Sequence, residues 1–254
     1  MRTALSVAGF DPVSGAGITS DIKVFQSLKV YGVGVVSSIT AQNTLGLYHV
    51  GPVPRSVVKK QLHAILDDVT PHAAKIGMIY DKGLIKLICS ELDNGRLKNV
   101  VVDPVILSST GKPLIKKDAL KVLIHHLIPR SRIVTPNIHE AATITGIKIS
   151  GIDDMYRAAE KCYRFGVENV VIKGGHLNSK AVDVLFDGKS FKEFRSEKRR
   201  GWYHGTGCVF SAAMTACLAS GKTVPESVRS AKTFIKKSIE KSHKIGKGMR
   251  LLGT

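Results

Sequence analysis

The sequence predicts an α/β fold: a mainly parallel central sheet flanked by helices on both faces, with a small β-hairpin element, in a single domain over residues 1–254. Three observations lead there. Short β-branched runs recur with little polar interruption, as strands buried on both faces require. Helical stretches lie between most of them, and such alternation builds parallel sheets. Glycines and polar residues that would weaken a core gather just after the strands. In open α/β sheets that carboxyl edge is where ligands bind.

Taken in order, strands are predicted at 4–8, 34–40, 73–78, 99–103, 132–136 and 169–173. Val58, Leu62, Ile65 and Leu66 share one face of a helix that starts near Arg55. Ala119, Leu120, Leu123, Ile124 and Leu127 repeat the pattern before Pro129, and Met155, Ala158, Ala159 and Cys162 repeat it before Gly166, a C-terminal stop. After Gly174 the period changes. Segments 182–186 and 191–195, separated by Asp187-Gly188, read as a hairpin. A helix then runs over 207–219, with Gly221 just past its end. Thr223, Pro225 and Glu226 supply the N-cap, an early proline and the capping-box acid of a last helix.

Composition narrows the function classes. The chain has 254 residues, 43% of them hydrophobic, and a mean hydropathy near zero, which fits neither a disordered polymer nor a membrane bundle. No apolar run approaches the ~20 residues that span a bilayer, and the start runs too soon into Gly9 and Asp11 for a signal peptide. Cys89, Cys162, Cys208 and Cys217 lack CxxC spacing, so a reducing, cytoplasmic setting is expected and a disulfide framework or zinc site is not. The charge is less ordinary. Lys and Arg number 38 against 20 Asp and Glu, a net +18. From Lys189 onward 15 basic and 4 acidic residues hold +11 of that excess. Without interleaved aromatics or a helix-turn-helix or zinc-finger pattern, the tail is expected to be a solvated basic surface that attracts anionic substrates, not a specific nucleic-acid site.

The strongest local motif is His204-Gly205-Thr206-Gly207-Cys208, which opens the apolar helix. Glycines at a helix start let backbone N–H groups converge on an anion, with the helix dipole assisting. A cysteine in that first turn is expected to have a lowered pKa and to be partly thiolate; the plainer alternative is a packed cysteine after a tight turn. Asp11-Pro12-Val13-Ser14-Gly15-Ala16-Gly17 follows the first strand but matches neither GxGxxG nor GxxxxGK[ST], which disfavours a nicotinamide or P-loop site. Asn137 and Glu140, three apart at a helix start, can order a hydrated Mg2+ or simply cap the helix. Lys173, before Gly174-Gly175, can reach a phosphate as a point charge.

In combination, and in this order, Ala8-Gly9-Phe10-Asp11 with Ser14 to Gly17 and Asp21, Ala41-Gln42-Asn43-Thr44, Lys75-Ile76-Gly77-Met78, Asp103-Pro104-Val105, Thr135-Pro136-Asn137 with Glu140-Ala141, Lys173-Gly174-Gly175-His176 and the His204–Cys208 segment resemble the hydroxymethylpyrimidine/phosphomethylpyrimidine kinases of the ribokinase superfamily. The resemblance covers essentially the whole chain. It implies a ribokinase-like fold and two ATP-dependent phosphorylations in thiamine biosynthesis, of 4-amino-5-hydroxymethyl-2-methylpyrimidine and then of its monophosphate. It further implies that Cys208 stands where sugar-kinase relatives use an aspartate base, with Gly205, Thr206, Gly207 and Cys208 forming the anion hole. Gln42 would pair with the pyrimidine amine and ring nitrogen, Gly9, Met78 and Val105 would complete the pocket, and Asp21 would touch the substrate. Asp103, Glu140 and Asn137 would organise Mg2+, while Lys173, with Asn137 and Thr206, would meet ATP. A homodimer is implied by the same resemblance.

Phe10, Pro12-Val13, Ser109, Tyr203 and Val209 depart from the family pattern around the pocket without deleting a main motif. The nearest alternative on the same scaffold is a pyridoxal or pyridoxine kinase. From a different class, a non-catalytic pyrimidine sensor or nucleic-acid-associated protein has only the basic tail in its favour.

Overall fold

The computed structural model describes residues 1–108, 110–175, 181–197, 199 and 201–254. The chain begins β1 (Thr3–Phe10), α1 (Gly17–Ser27), β2 (Tyr31–Gln42), β3 (Leu47–Pro52), α2 (Arg55–Leu66) and β4 (Ala73–Ile76). Next come α3 (Lys82–Asp93), β5 (Val100–Val102), α4 (Lys117–Val122), β6 (Ile133–Val134), α5 (Ile138–Thr145), α6 (Ile152–Tyr163) and β7 (Asn169–Ile172). It closes with β8 (Ala181–Phe186), β9 (Phe191–Ser196), β10 (Tyr203–His204), α7 (Thr206–Ala219), α8 (Val224–Glu240) and β11 (Arg250–Leu251).

The main sheet has the order β3-β2-β1-β4-β5-β6-β7-β8-β9. Strands from β2 to β7 run parallel, and both edges are antiparallel: β3 on β2, and the β8–β9 hairpin beside β7. The two-residue period of each strand divides its side chains between two cores. Leu5, Val7, Ala74, Ile76, Val100 and Val102 face the core beneath α2 to α6. Their neighbours Ala4, Ala73 and Val101 face α1, α7 and α8. Burial on both faces explains why these strands read as continuous apolar runs. Helix α7 is buried along nearly its whole length from Val209 to Ala219, as its all-round apolar sequence requires. Among the described residues, no helix is long and apolar enough to cross a membrane.

The predicted strands are present, with shifted ends. Segments 73–78 and 132–136 leave the sheet after Ile76 and Val134, and their last residues turn into loops at the carboxyl edge. Edge strand β3 was not predicted, because it carries Gly51 and Pro52 and is buried only at Leu47, so it lacks a core pattern. The helix expected before Pro129 breaks up. After α4 the chain widens into a π-turn at Leu123–Leu127 and tightens into a 3-10 turn at Ile128–Arg130, since proline lacks the N–H that an α-turn would use. The tail is not uniformly solvated either. Lys232 on α8 turns inward, donating to Asp183 Oδ2 at 2.8 Å and to the Ala181 carbonyl at 3.0 Å.

Candidate active site

The loops that leave the carboxyl ends of β1, β4, β5, β6 and β7 open into a cavity of about 1240 Å³, which the start of α7 also lines. Gly205 caps α7 with φ +80°, and a Cβ there would run into the Gly15 carbonyl oxygen. Only glycine combines that left-handed turn with so close an approach. The N–H groups of Thr206, Gly207 and Cys208 therefore begin the helix without intrahelical partners. The Lys173 ammonium sits over them: a Cβ on Gly207 would lie 3.2 Å from Lys173 Nζ. A helix N-terminus and a lysine thus converge on one point, an arrangement that neutralises phosphoryl oxygens.

Asp103 holds the lysine there. Lys173 Nζ donates to Asp103 Oδ1 at 2.7 Å, and Ser211 Oγ from α7 donates to Asp103 Oδ2 at 3.0 Å. Burial pushes the Asp103 carboxyl up, but Lys173 and Lys75 outweigh it and leave it lowered. Burial pulls Lys173 down, and Asp103 and Glu140 more than reverse that. Glu140 is pushed up to about 7, by burial first and further by Asp103, with Lys173 opposing.

Asn137 and Glu140 close a capping box on α5. Asn137 Oδ1 accepts from the Glu140 N–H at 2.9 Å, and Glu140 Oε2 accepts from the Asn137 N–H at 2.8 Å. The plain capping alternative is therefore realised, and both side chains also border the cavity. Among the described residues no group of three or more His, Cys, Asp or Glu could hold a metal ion. Asp103 and Glu140 stand beside one lysine, and a cation held largely by water and phosphate would favour the ionised form of Glu140, whose carboxyl is pushed up by burial.

The predicted pocket residues come together. Gly9, Gln42, Met78 and Val105 line the same cavity as Gly205 and Cys208. A Cβ on Gly9 would meet Met78 Sδ at 3.1 Å and Ser38 Oγ at 2.8 Å, so glycine leaves room there for the thioether wall. Ser37 Oγ, donating to the Met78 carbonyl at 2.6 Å, fixes that wall to β2.

Two expectations need correction. Asp21 is fully buried and does not face the cavity. It accepts from Ser6 Oγ at 2.6 Å and forms an ion pair with Lys75, so its carboxylate is already committed. Cys208 is not an activated thiolate in the free protein. Burial pushes its thiol up to about 11, with Asp103 and Asp21 adding to the rise, and Lys75 and the Gly17 N–H only partly offset them. His176 and Ser109 lie outside the described residues.

Two residues of quoted motifs emerge with positions the sequence did not reveal. Lys75, fully buried at the end of β4, reaches the Cys208 carbonyl at 3.3 Å and borders the cavity. His204 Nε2 lies 2.8 Å from Asp11 Oδ2 and 2.7 Å from the Gln42 carboxamide. Burial pushes the Asp11 carboxyl up, but His204 and the Ala16 and Val13 N–H groups leave it lowered. Both partnerships join residues distant in sequence, so spacing carries no trace of them.

Comparison with known proteins bears on this site. The family model described as phosphomethylpyrimidine kinase matches residues 11–252. A hydroxymethylpyrimidine/phosphomethylpyrimidine kinase of Aquifex aeolicus is 38% identical over 251 residues, covering 98% of each chain. Among solved structures, a phosphomethylpyrimidine kinase from Clostridium difficile superposes with a TM-score of 0.84 at 40% identity, covering 94% of this chain and 100% of its own. An ADP complex of Bacillus subtilis pyridoxal kinase superposes with a TM-score of 0.93 at 36% identity, covering 99% and 97%.

Proposed function

Since the chain belongs to the phosphomethylpyrimidine kinase family, we propose that it transfers the γ-phosphoryl group of ATP to 4-amino-5-hydroxymethyl-2-methylpyrimidine and then to the resulting monophosphate, as a cytoplasmic enzyme of thiamine biosynthesis. One observation carries this reading: Cys208 and the first-turn amides of α7, under Lys173, share a cavity with Gln42, Gly9 and Met78.

In this reading Gln42 holds the pyrimidine edge, and Gly9, Met78 and Val105 enclose the ring, leaving the hydroxymethyl oxygen toward Cys208. A new P–O bond forms to that oxygen as the bond to the ADP oxygen breaks. The Thr206, Gly207 and Cys208 amides and the Lys173 ammonium take up charge on the transferring group, which is where most of the help is needed in a loose transition state. The thiol's raised pKa favours a relay over a standing base. Cys208 Sγ accepts the hydroxyl proton while its own proton passes to a phosphoryl oxygen. Asp103 and Glu140, with Asn137 beside them, are the residues that would hold Mg2+, which would add charge neutralisation at the phosphates. Asn137 and Thr206 would meet the nucleotide. A homodimer belongs to the same reading, supported by Ile39 and Tyr48, exposed on the β2–β3 edge.

The test is coupled turnover with hydroxymethylpyrimidine, with its monophosphate and with pyridoxal, in the wild type and in Cys208→Ala. Proton relays contribute about 10²- to 10⁴-fold, so Cys208→Ala should lower kcat by about 10²-fold while the pyrimidine KM moves less than about threefold. An unchanged kcat removes Cys208 from the proton path. The close superposition on a pyridoxal kinase keeps B6 vitamers as the second reading, and turnover of pyridoxal alone would select it.

A further inference from the structure

We infer that His204, held by Asp11, is a positioning residue that locks the Gln42 carboxamide in one orientation and so sets which ring the pocket prefers. The hydrogen-bond inventory around Asp11 leads there. Its Oδ1 accepts from the Val13 N–H at 3.0 Å, and its Oδ2 accepts from the N–H groups of Gly15 at 3.1 Å and Ala16 at 2.9 Å. Every backbone partner is a donor, so the group is an acceptor-only carboxylate. His204 Nε2, 2.8 Å from the same Oδ2, must then carry the proton. Among the described residues, His204 Nδ1 is buried without a hydrogen-bond partner. A proton there would be an unpaired buried donor, so the geometry puts the ring proton on Nε2.

That tautomer dictates what Gln42 can present. As placed, Gln42 Nε2 lies 2.7 Å from His204 Nε2, which would set donor against donor. The two ends of a carboxamide are nearly isosteric, so hydrogen-bond chemistry decides which one faces a neighbour. Opposite an N–H, that end must be the carbonyl oxygen, sharing the Nε2 proton with Asp11 in a three-centre bond. The amide NH2 and the second carbonyl lone pair are left for a ligand. A ring with an amine donor beside a ring-nitrogen acceptor satisfies both. A pyridine bearing an aldehyde where the amine would lie sets acceptor against acceptor. The inference rests on the hydroxymethylpyrimidine reading and extends it to the origin of ring preference.

Two measurements test it. In the ligand-free wild type, long-range 15N–1H spectra of the His204 ring should find the proton on Nε2; a proton on Nδ1 alone overturns the inference. In turnover, 4-amino-5-hydroxymethyl-2-methylpyrimidine is compared with the analogue lacking the amine, in the wild type and in His204→Phe. The variant should raise KM for the amino substrate about tenfold, with kcat within about threefold, and cut the preference for the amino over the deamino ring about tenfold, the worth of about one hydrogen bond. An undiminished preference overturns the inference, because a general packing defect would weaken both rings alike. If His204→Phe does not fold, the wild-type spectrum still decides. Absence of wild-type turnover with either pyrimidine would strike the functional reading instead, while the spectrum continues to decide the orientation.

Discussion

Cys208 sits at the N-terminus of α7, where a helix dipole and an adjacent lysine would by themselves favour a thiolate. The surroundings reverse that sign. Asp103 arrives from the loop after β5 and Asp21 from α1, and both carboxylates work against a further negative charge on the half-buried Cys208. Lys75 is largely engaged by Asp21, its ion-pair partner. With the thiol pushed up to about 11, the protonated form prevails at neutral pH, and the reactive form grows as the pH rises toward that value. Iodoacetamide labelling of the Cys208 peptide, followed by mass spectrometry, should be slower at pH 7.5 than that of an unperturbed thiol (pKa about 8.5) and should climb about tenfold per pH unit between pH 8 and 10. Rapid labelling at pH 7 would contradict this environment. The position of Cys208 was legible, because glycines and a helix start are local signals. Its charge state was not, since the groups that set it lie far away in sequence.

At the scale of elements, the sheet was legible wherever strands are buried on both faces and obscure wherever they are not. Segments such as Val100–Val102 need apolar residues at every position, whereas β3 and the two-residue pair β10–β11 satisfy little beyond backbone hydrogen bonds. The β10–β11 pair still matters, because it seats His204 against the segment that precedes α1. The capping box of α5 was legible as a motif, but its sequence cannot tell a cap from a cation site; the fold makes it a cap that also borders the cavity. The joint between β10 and α7 is the element on which the site turns. Gly205→Ala places a methyl group against the Gly15 carbonyl in a left-handed conformation, costing about 1 kcal/mol for the backbone alone and forcing the α7 start away from the loop after β1. The expected result is a folded protein with unchanged far-UV circular dichroism and turnover down at least about tenfold, since a small misplacement of an anion hole is enough. Wild-type turnover in that variant would mean that the joint tolerates movement and that the α7 amides do not set the rate.

For the whole molecule, the +18 charge is the property with the broadest consequence. Its basic residues do different work according to where the fold puts them. Lys75, Lys173 and Lys232 are turned inward and paired with Asp21, Asp103 and Asp183, so salt should barely touch them. Lys236 and Lys247 are exposed and also line the mouth of the cavity; they can draw a polyanion from solution, and mobile ions screen them over about 10 Å at 0.1 M salt. A neutral pyrimidine feels none of this attraction, whereas ATP feels it strongly. Raising sodium chloride from 0.05 to 0.5 M should therefore raise KM for ATP by about three- to tenfold, leave KM for hydroxymethylpyrimidine within about twofold, and leave kcat nearly flat, because steering acts on encounter and not on the transferring group. Lys236→Gln combined with Lys247→Gln should remove most of the salt dependence while kcat at saturating ATP stays near that of the wild type. An equal rise of KM for both substrates would instead mean that salt acts on the fold, and the basic mouth would have no part in collecting nucleotide.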